Sequence, residues 1–213
     1  LAGNFGGLGE LTWIDRQSTA ESLGFKQNVF GTFDVSPNGD RLLTQIWDPN
    51  SSVWLYDLKS KLETKIESGG SDGFKGWPRW HPHEESFTFG SRKENLHEVF
   101  TRNLENPAAS KLIQGEPDID IIEGIWTSDG RKCVYFKHTK ETDSDLWIYD
   151  KETKEHSKLI ATEKPEWGPR ISPDNKWVAF TKEKDGGEYE IYVIPITGGT
   201  AEQVSLSGGE EPI

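Results

Sequence analysis

The sequence predicts an all-β protein, a β-propeller of four-stranded antiparallel blades, from three observations. A turn rich in Pro, Asp, Asn and Gly recurs at Pro37, Pro82, Ser128 and Pro173, at intervals of 45, 46 and 45 residues. Short strands with many β-branched and aromatic residues follow the turns. No segment has the length and period of a helix, which excludes a parallel β/α fold. A β-sandwich is the alternative, but sandwiches do not repeat one turn at a near-constant interval.

Each repeat presents the same four strand-like segments in the same order. Aromatic-rich segments precede the turn: FGTFDV, KGWPRW, IIEGIW and EWGPRI. Apolar strands follow it: RLLTQIW, SFTFGS, KCVYFKH and KWVAFTK. The third strands are SVWLYDL, EVFTRNL, DLWIYDK and EIYVIPI, and short segments such as LETKIES and SKLIATE complete the units. Such a unit cannot bury its own faces, so neighbouring units must pack on each other.

The repeated turn has a simple physical basis. In Ser36-Pro37-Asn38-Gly39 the proline presets its own φ, and Asn and Gly tolerate the positive φ that a tight reversal needs. We expect the Asp and Asn of these turns to accept hydrogen bonds within their own turn. A calcium site is not expected, because these residues lie in separate blades and no Asp-x-Asp-x-Asp-Gly loop is present.

The repeat predicts one propeller domain or fragment with four complete blades and half-blades at both termini. A half-blade covers 1–28, and the start of a further blade covers 208–213. The complete blades cover about 29–70, 71–116, 117–163 and 164–207. Strands from both termini could close a five-bladed ring, or the chain could be an arc of a larger propeller. The chain contains no Met, so we expect a piece of a longer protein.

Composition narrows the possible functions. The formal net charge of −12 argues against nucleic-acid binding, which depends on Lys and Arg. No apolar run is long enough for a transmembrane segment. Aromatic residues make up 11% of the chain, so rings must supply much of the core. The single cysteine, Cys133, lies in KCVYF, where we expect a buried thiol acting as a small hydrophobe.

The repeat of an S-P-D-G-like turn, an apolar strand, x-W-I-Y-D and K-L-I resembles the TolB-like propeller repeat, a WD-like repeat, over essentially the whole chain. That family includes TolB, the propeller domains of prolyl-oligopeptidase-type peptidases, and bacterial sensor segments joined to serine/threonine kinases. Two units depart from the pattern. HPHE, starting at His81, lacks the Asp and Gly of the turn, and EVFTRNL lacks the Trp and Tyr found in VWLYD and LWIYD.

The resemblance implies a noncatalytic module that binds a protein or peptide as a scaffold or sensor, in the periplasm or elsewhere outside the cytoplasm. The alternative is the gating propeller of a prolyl-oligopeptidase-like hydrolase whose catalytic domain is absent from this chain. An autonomous lyase or glycan hydrolase would need His, Arg and metal ligands converging on the axis, and only fragments of such a set are present. We therefore expect no catalytic residues, no cofactor and no metal in this chain.

Two patterns with possible chemistry are better explained as loops. Gly69 to Gly73 match Gly-x-Ser-x-Gly, but a nucleophile elbow needs a strand before it and a helix after it, and here the match joins two blades. The five histidines lie in two of the units, and we expect them to be solvated rather than to bind zinc. They are His81, His83, His97, His138 and His156.

Residues that differ among the copies are the candidates for binding. Two positions before the first turn residue, the copies carry Asp34, Arg79, Ile125 and Arg170. An Arg beside an aromatic ring at the channel mouth would form a recognition surface, by stacking and by bidentate binding of carboxylates. Alternatively, each Arg pairs with a neighbouring carboxylate and holds the blades in register.

A second candidate set consists of the carboxylates that lead into the third repeat: Glu116, Asp118, Asp120 and Glu123. Such groups around a propeller channel can hold a cation or a basic ligand, and the alternative is that they form solvated loops. Together the candidate binding residues at the channel mouth are Asp34, Arg79, Arg170, Trp77, Trp167, Glu123 and Asp120.

Overall fold

The computed structural model describes residues 7–66, 73–83, 85–93, 96–106, 108, 110–115, 119–140, 142–210 and 212. Within these ranges the regular secondary structure is β-strand throughout, without a helix. The remaining positions include residues of the Gly-x-Ser-x-Gly match and of the carboxylate set that leads into the third repeat. Residues 69–72 of the Gly-x-Ser-x-Gly match lie outside the described ranges, as do Glu116 and Asp118 of the carboxylate run.

Within the described ranges, eighteen strands form four antiparallel four-stranded sheets and one small two-stranded sheet, each in sequence order. The small sheet comprises β1 (Thr12–Ile14) and β2 (Ala20–Ser22). The first blade comprises β3 (Phe30–Val35), β4 (Arg41–Ile46), β5 (Ser52–Asp57) and β6 (Glu63–Lys65). The second comprises β7 (Phe74–Trp80), β8 (Ser86–Lys93), β9 (Leu96–Asn103) and β10 (Ser110–Ile113). The third comprises β11 (Asp120–Trp126), β12 (Lys132–Thr139), β13 (Asp143–Asp150) and β14 (His156–Ile160). The fourth comprises β15 (Glu166–Ile171), β16 (Trp177–Glu183), β17 (Tyr189–Pro195) and β18 (Glu202–Gln203).

The first strands of the four sheets lie next to one another. β3 contacts β7, β7 contacts β11, and β11 contacts β15, so these are the inner strands of the blades. Four sheets whose first strands adjoin in sequence order form a β-propeller arrangement, which confirms the predicted fold class.

The core lies between blades rather than within one blade. Leu43 and Val53 of the first blade pack against Trp80 and Phe87 of the second. Equivalent clusters join the second blade to the third and the third to the fourth. The apolar residue just before each turn belongs to one of the buried clusters or packs against it; these residues are Val35, Trp80, Trp126 and Ile171. Burying large rings between sheets supplies the main driving force for holding successive blades together.

Cys133 is part of the cluster between the second and third blades and is fully buried. Burial raises the pKa of its thiol, because the thiolate would lose its hydration. The predicted burial of this thiol among apolar residues is therefore confirmed.

Three of the four turns share one hydrogen-bond pattern. The hydroxyl of Thr127 donates to Asp129 (2.6 Å) and accepts from the backbone N–H of Lys132 (3.0 Å). Ser36 and Ser172 make the same two bonds in the first and fourth blades. The residue that reverses the chain has a positive φ in each: 75° at Gly39, 69° at Gly130 and 59° at Asn175. The predicted hydrogen bonds within the turn are confirmed at Asn38, Asp129 and Asp174. Asn175 differs, because its Oδ1 accepts a hydrogen bond from the backbone N–H of Ser128 in the neighbouring blade (2.7 Å).

The second blade replaces this hydroxyl with His81, and here one sequence expectation is wrong. His81 is 5% exposed rather than solvated. Its Nε2 lies 3.2 Å from the carbonyl oxygen of Gly130 in the next blade, and its ring packs edge-on against Trp126, with centroids 4.8 Å apart. His97 is also buried, whereas His83, His138 and His156 are exposed. The turn motif alone does not show that Trp126 of the next blade lies beside His81 and helps to bury its imidazole.

The small sheet packs on the first blade. Leu11 and Phe25 join a buried cluster with Leu42 and Tyr56, and a bridge pairs Gly9 with Asn28. At the other end, residues 208–210 and 212 lie outside strands. The predicted blade boundaries, and the choice between a five-bladed closure and a larger arc, stay predictions.

Candidate functional site

Every inner strand carries an irregularity in its pairing with the next strand. In the second, third and fourth blades the irregularity contains a residue in the left-handed region, four residues before the first turn residue. These residues are Trp77 (φ 50°), Glu123 (φ 50°) and Gly168 (φ 63°). A bulge of this kind re-aims a side chain, and a positive φ is unfavourable for Trp and Glu. These three blades therefore share the backbone conformation of the bulge, whereas the residue at that position differs from blade to blade.

Glu123 receives two guanidinium groups from the blades on either side of it. Arg79 Nη2 contacts Glu123 Oε1, and Arg170 Nη1 lies 3.4 Å from the same oxygen. The side chains of Glu123 and Arg79 are 8% and 12% exposed, while that of Arg170 is 33% exposed. One buried carboxylate therefore connects three successive blades.

Asp34 extends the same set of charges into the first blade. Its Oδ2 accepts a hydrogen bond from the backbone N–H of Trp80 (2.7 Å), and its carbonyl oxygen accepts from the Trp80 indole (3.1 Å). Burial raises the pKa of Asp34, although the Trp80 N–H and the positive charge of Arg79 act in the opposite direction. Asp34, Arg79, Glu123 and Arg170 are hereafter called the inner charge network. The arginine–carboxylate pairing that the sequence offered as an alternative is thus present.

Trp77 belongs to a different group, an aromatic cluster formed by Trp47, Phe74 and Trp77. The ring centroids of Phe74 lie 5.8 Å from Trp47 and 4.8 Å from Trp77. Trp47 is 46% exposed, and the other two rings are half-buried. Neither indole N–H has a hydrogen-bond partner among the described residues. The cluster presents a contiguous aromatic surface with two available donors.

Glycines and a buried polar side chain support this cluster. A Cβ on Gly31 would lie 2.8 Å from the Trp47 indole nitrogen, and one on Gly76 would lie 2.8 Å from Gln45. Gln45 donates to Ser51 Oγ (2.9 Å), which in turn donates to the carbonyl oxygen of Lys75 (2.8 Å). The rings of the cluster therefore rest on a tightly packed junction between the first two blades.

The remaining two predicted residues lie apart from both groups. Trp167 packs edge-on against Tyr189, with ring centroids 4.8 Å apart. Tyr189 also lines a cavity of about 490 Å³ with Glu188, Glu190 and Leu206. Asp120 Oδ1 lies 3.3 Å from Nδ1 of the buried His97. Burial lowers the pKa of His97, although Asp120 acts in the opposite direction.

The structure thus brings four of the seven predicted residues into one network and places Trp77 two residues from Arg79 on the same strand. Sequence reasoning missed Trp47 and Phe74, and it missed the contact of Asp120 with His97. Trp47 directly follows an apolar strand, and its 46% exposure marks it as a surface ring. Its partners lie in the next blade, so only the blade packing reveals the cluster.

No group of three or more His, Cys, Asp or Glu side chains among the described residues is arranged to hold a metal ion. The same part of the chain contains no helix with the length and apolarity needed to cross a membrane.

Comparison with solved structures places the fold among TolB-like propellers. A TolB protein from Agrobacterium tumefaciens superposes with a TM-score of 0.77 at 14% identity, over 91% of this chain and 72% of that one. TolB from Acinetobacter baumannii gives 0.76 at 18% identity, over 92% and 48%. An oligogalacturonate lyase in complex with manganese gives 0.69 at 16% identity, over 92% and 59%. At these identities the likeness concerns the fold.

Sequence comparison gives a shorter match. No model of a known protein family matches the chain. A segment of 92 residues is 27% identical to the uncharacterized peptidase YuxL of Bacillus subtilis. The match covers 41% of this chain and 14% of that relative's length. A puromycin-hydrolyzing peptidase of Mycobacterium tuberculosis shares the fold with a TM-score of 0.67, over 93% of this chain and 32% of that one.

Proposed function

We propose that this chain is a noncatalytic propeller module that binds a protein or peptide as a scaffold or sensor. The observation that carries the proposal is the aromatic cluster of Trp47, Phe74 and Trp77, two residues along the strand from the inner charge network. Large rings with a polar N–H at one edge are typical anchors of protein interfaces, because they bury much apolar area at little conformational cost.

The position of the cluster also favours binding. Its three rings come from two blades, and the tight contacts of Gly31, Gly76 and Gln45 hold the junction in place. A rigid, pre-formed surface loses little entropy when a ligand settles on it. The resemblance to TolB-like propellers supports the same proposal, and it favours a location in the periplasm or elsewhere outside the cytoplasm.

Selection of peptides from a random display library tests the proposal. We expect the chain to enrich peptides whose affinity falls at least about tenfold in Trp47→Ala and Trp77→Ala variants. The matched control is Trp177→Ala, since Trp177 is 42% exposed in the fourth blade and lies outside the cluster. Failure to enrich any peptide above the empty-support background, or equal loss in the Trp177 control, would overturn the proposal.

A second function is favoured by the match to a peptidase over 92 residues. In that case the propeller is the gate of a prolyl-oligopeptidase-like hydrolase, and the chemistry belongs to another domain of the natural protein. The reading frame on either side of this chain decides between the two. A hydrolase domain joined to the propeller supports the gate, whereas a kinase and a membrane-spanning helix support the sensor.

A further inference from the structure

We propose that Arg170 anchors a carboxylate of the bound ligand, an inference that rests on the proposed peptide-binding function. The two arginines of the inner charge network are not equivalent. Arg79 is 12% exposed, and its Nη1 donates to the carbonyl oxygens of Phe33 (3.3 Å) and Pro78 (3.1 Å) while its Nη2 contacts Glu123. Both terminal nitrogens of Arg79 are therefore occupied by contacts within the protein, and those to Phe33 and Glu123 join neighbouring blades.

Arg170 uses only one of its terminal nitrogens in this way. Its Nη1 donates to the carbonyl oxygen of Pro169 (2.7 Å) and to Glu123 (3.4 Å). Among the described residues, Nε and Nη2 have no partner, and the side chain is 33% exposed. These two nitrogens form the edge of a guanidinium that binds a carboxylate with two parallel hydrogen bonds.

The charges around Arg170 favour an anionic ligand. Glu123 is shared between two guanidiniums, and Arg170 lies at the longer distance from it. The positive charge of Arg79 lowers the pKa of Asp34 more than that of Arg170 does. Arg170 is therefore the less compensated of the two cations in the network. The bonds to Pro169 and Glu123 also fix the orientation of the guanidinium before a ligand arrives, which lowers the entropic cost of binding.

The planar edge formed by Nε and Nη2 of Arg170 binds the two oxygens of a carboxylate better than it binds a neutral group. A peptide supplies this group in two ways, as an Asp or Glu side chain or as its C-terminus. Both present the same pair of oxygens to the guanidinium. N-acetylglycine imitates a C-terminal carboxylate, and the α-amide of N-acetylaspartate imitates an acidic side chain.

Nuclear magnetic resonance of the arginine Nε–H groups in the ¹⁵N-labelled chain tests the anchor without any peptide partner. We expect the Arg170 resonance, identified by its loss in Arg170→Lys, to shift saturably with one or both probes. The Arg131 resonance is the internal control, because Arg131 is exposed and paired with Glu152 at 2.8 Å. A linear shift of Arg170 that matches the shift of Arg131 would contradict the proposal, as would saturation by inorganic phosphate alone.

A second measurement separates the anchor from the proposed function. Display-selected peptides that carry an acidic residue or a free C-terminus should bind Arg170→Lys at least about tenfold more weakly, because Lys keeps the charge and loses the two-bond edge. Arg131→Lys should leave their affinity unchanged. If Trp77→Ala weakens these peptides and Arg170→Lys does not, the anchor is wrong and peptide binding stands. If no peptide is enriched while the probes saturate Arg170, the anchor stands and its ligand is a carboxylate from another source.

Discussion

The turns that follow the inner strands and the bulges four residues before the first turn residues differ in how far their side chains are shared among the blades. The turns at Ser36, Thr127 and Ser172 repeat the same hydrogen bonds within one blade. The bulges repeat a backbone conformation, yet they carry different side chains at Trp77 and Glu123. The shared hydroxyls form the same bonds within each of these turns, whereas the residues that differ among the bulges connect blades or remain at the surface for a ligand.

Removal of the Glu123 carboxylate should cause the largest loss of unfolding free energy. Glu123→Ala leaves Arg79 and Arg170 facing each other without the carboxylate, and losing one partner of a buried ion pair costs about 3 kcal/mol of unfolding free energy. Urea unfolding monitored by Trp fluorescence measures the change. Glu152→Ala, which removes an exposed pair with Arg131, should cost less than about 0.5 kcal/mol. Equal losses in the two variants would mean that the network does not hold the blades together.

The turns should show a smaller effect that depends on the neighbouring blade. Gly39 and Gly130 occupy the same turn position, with φ of 75° and 69°. Alanine at Gly39 meets open space, so only the positive φ opposes it, at about 1 kcal/mol. At Gly130 the new Cβ would lie 2.5 Å from Cε1 of His81, which should add about 1 kcal/mol.

His81→Ser in the Gly130→Ala background is the control for that explanation. The smaller side chain removes the close approach, so part of the lost unfolding free energy should return. If Gly39→Ala and Gly130→Ala are equally destabilising, contact between turns of adjacent blades contributes nothing at this position.

The shared hydroxyl of the turn should make a modest contribution. Thr127→Val keeps the shape of a side chain that is 2% exposed and removes the acceptor for the Lys132 N–H. The expected loss is about 1 kcal/mol, measured as a shift in the urea midpoint at constant slope. A loss as large as that of Glu123→Ala would contradict the distinction between bonds within a blade and bonds across blades.

The smallest expected effect concerns pH. Burial lowers the pKa of His97 in the folded protein, so the unfolded chain binds the proton more tightly. Stability should therefore fall as pH drops below about 6.5, the ordinary pKa of histidine, and should be restored above it. Asp120 acts against this shift, while Arg92 and His138 reinforce it. His97→Gln should reduce the change in unfolding free energy between pH 7.5 and 5.5, whereas His83→Gln should leave that change as it is. Equal pH dependence in the two variants would refute the assignment of the effect to His97.

Local sequence accounts for most of the blade. The turn chemistry at Ser36 and Thr127 and the apolar residue before each turn were predictable, because they depend on neighbours within one repeat. The pairing of Glu123 with both Arg79 and Arg170 joins residues 44 and 47 positions apart, so it depends on how the blades are spaced. The bulges decide where these side chains point, and a positive φ at Trp or Glu has no sequence signature.

The affinity of one display-selected peptide for matched variants tests the central claim that binding resides in the residues the copies do not share. Trp77→Ala should weaken the peptide at least about tenfold, whereas Ser36→Ala and Ser172→Ala, which alter the shared turns, should change its affinity by less than about twofold. Each variant is compared at a temperature where it is folded by circular dichroism. Loss of affinity in the turn variants together with retention in Trp77→Ala would contradict the account.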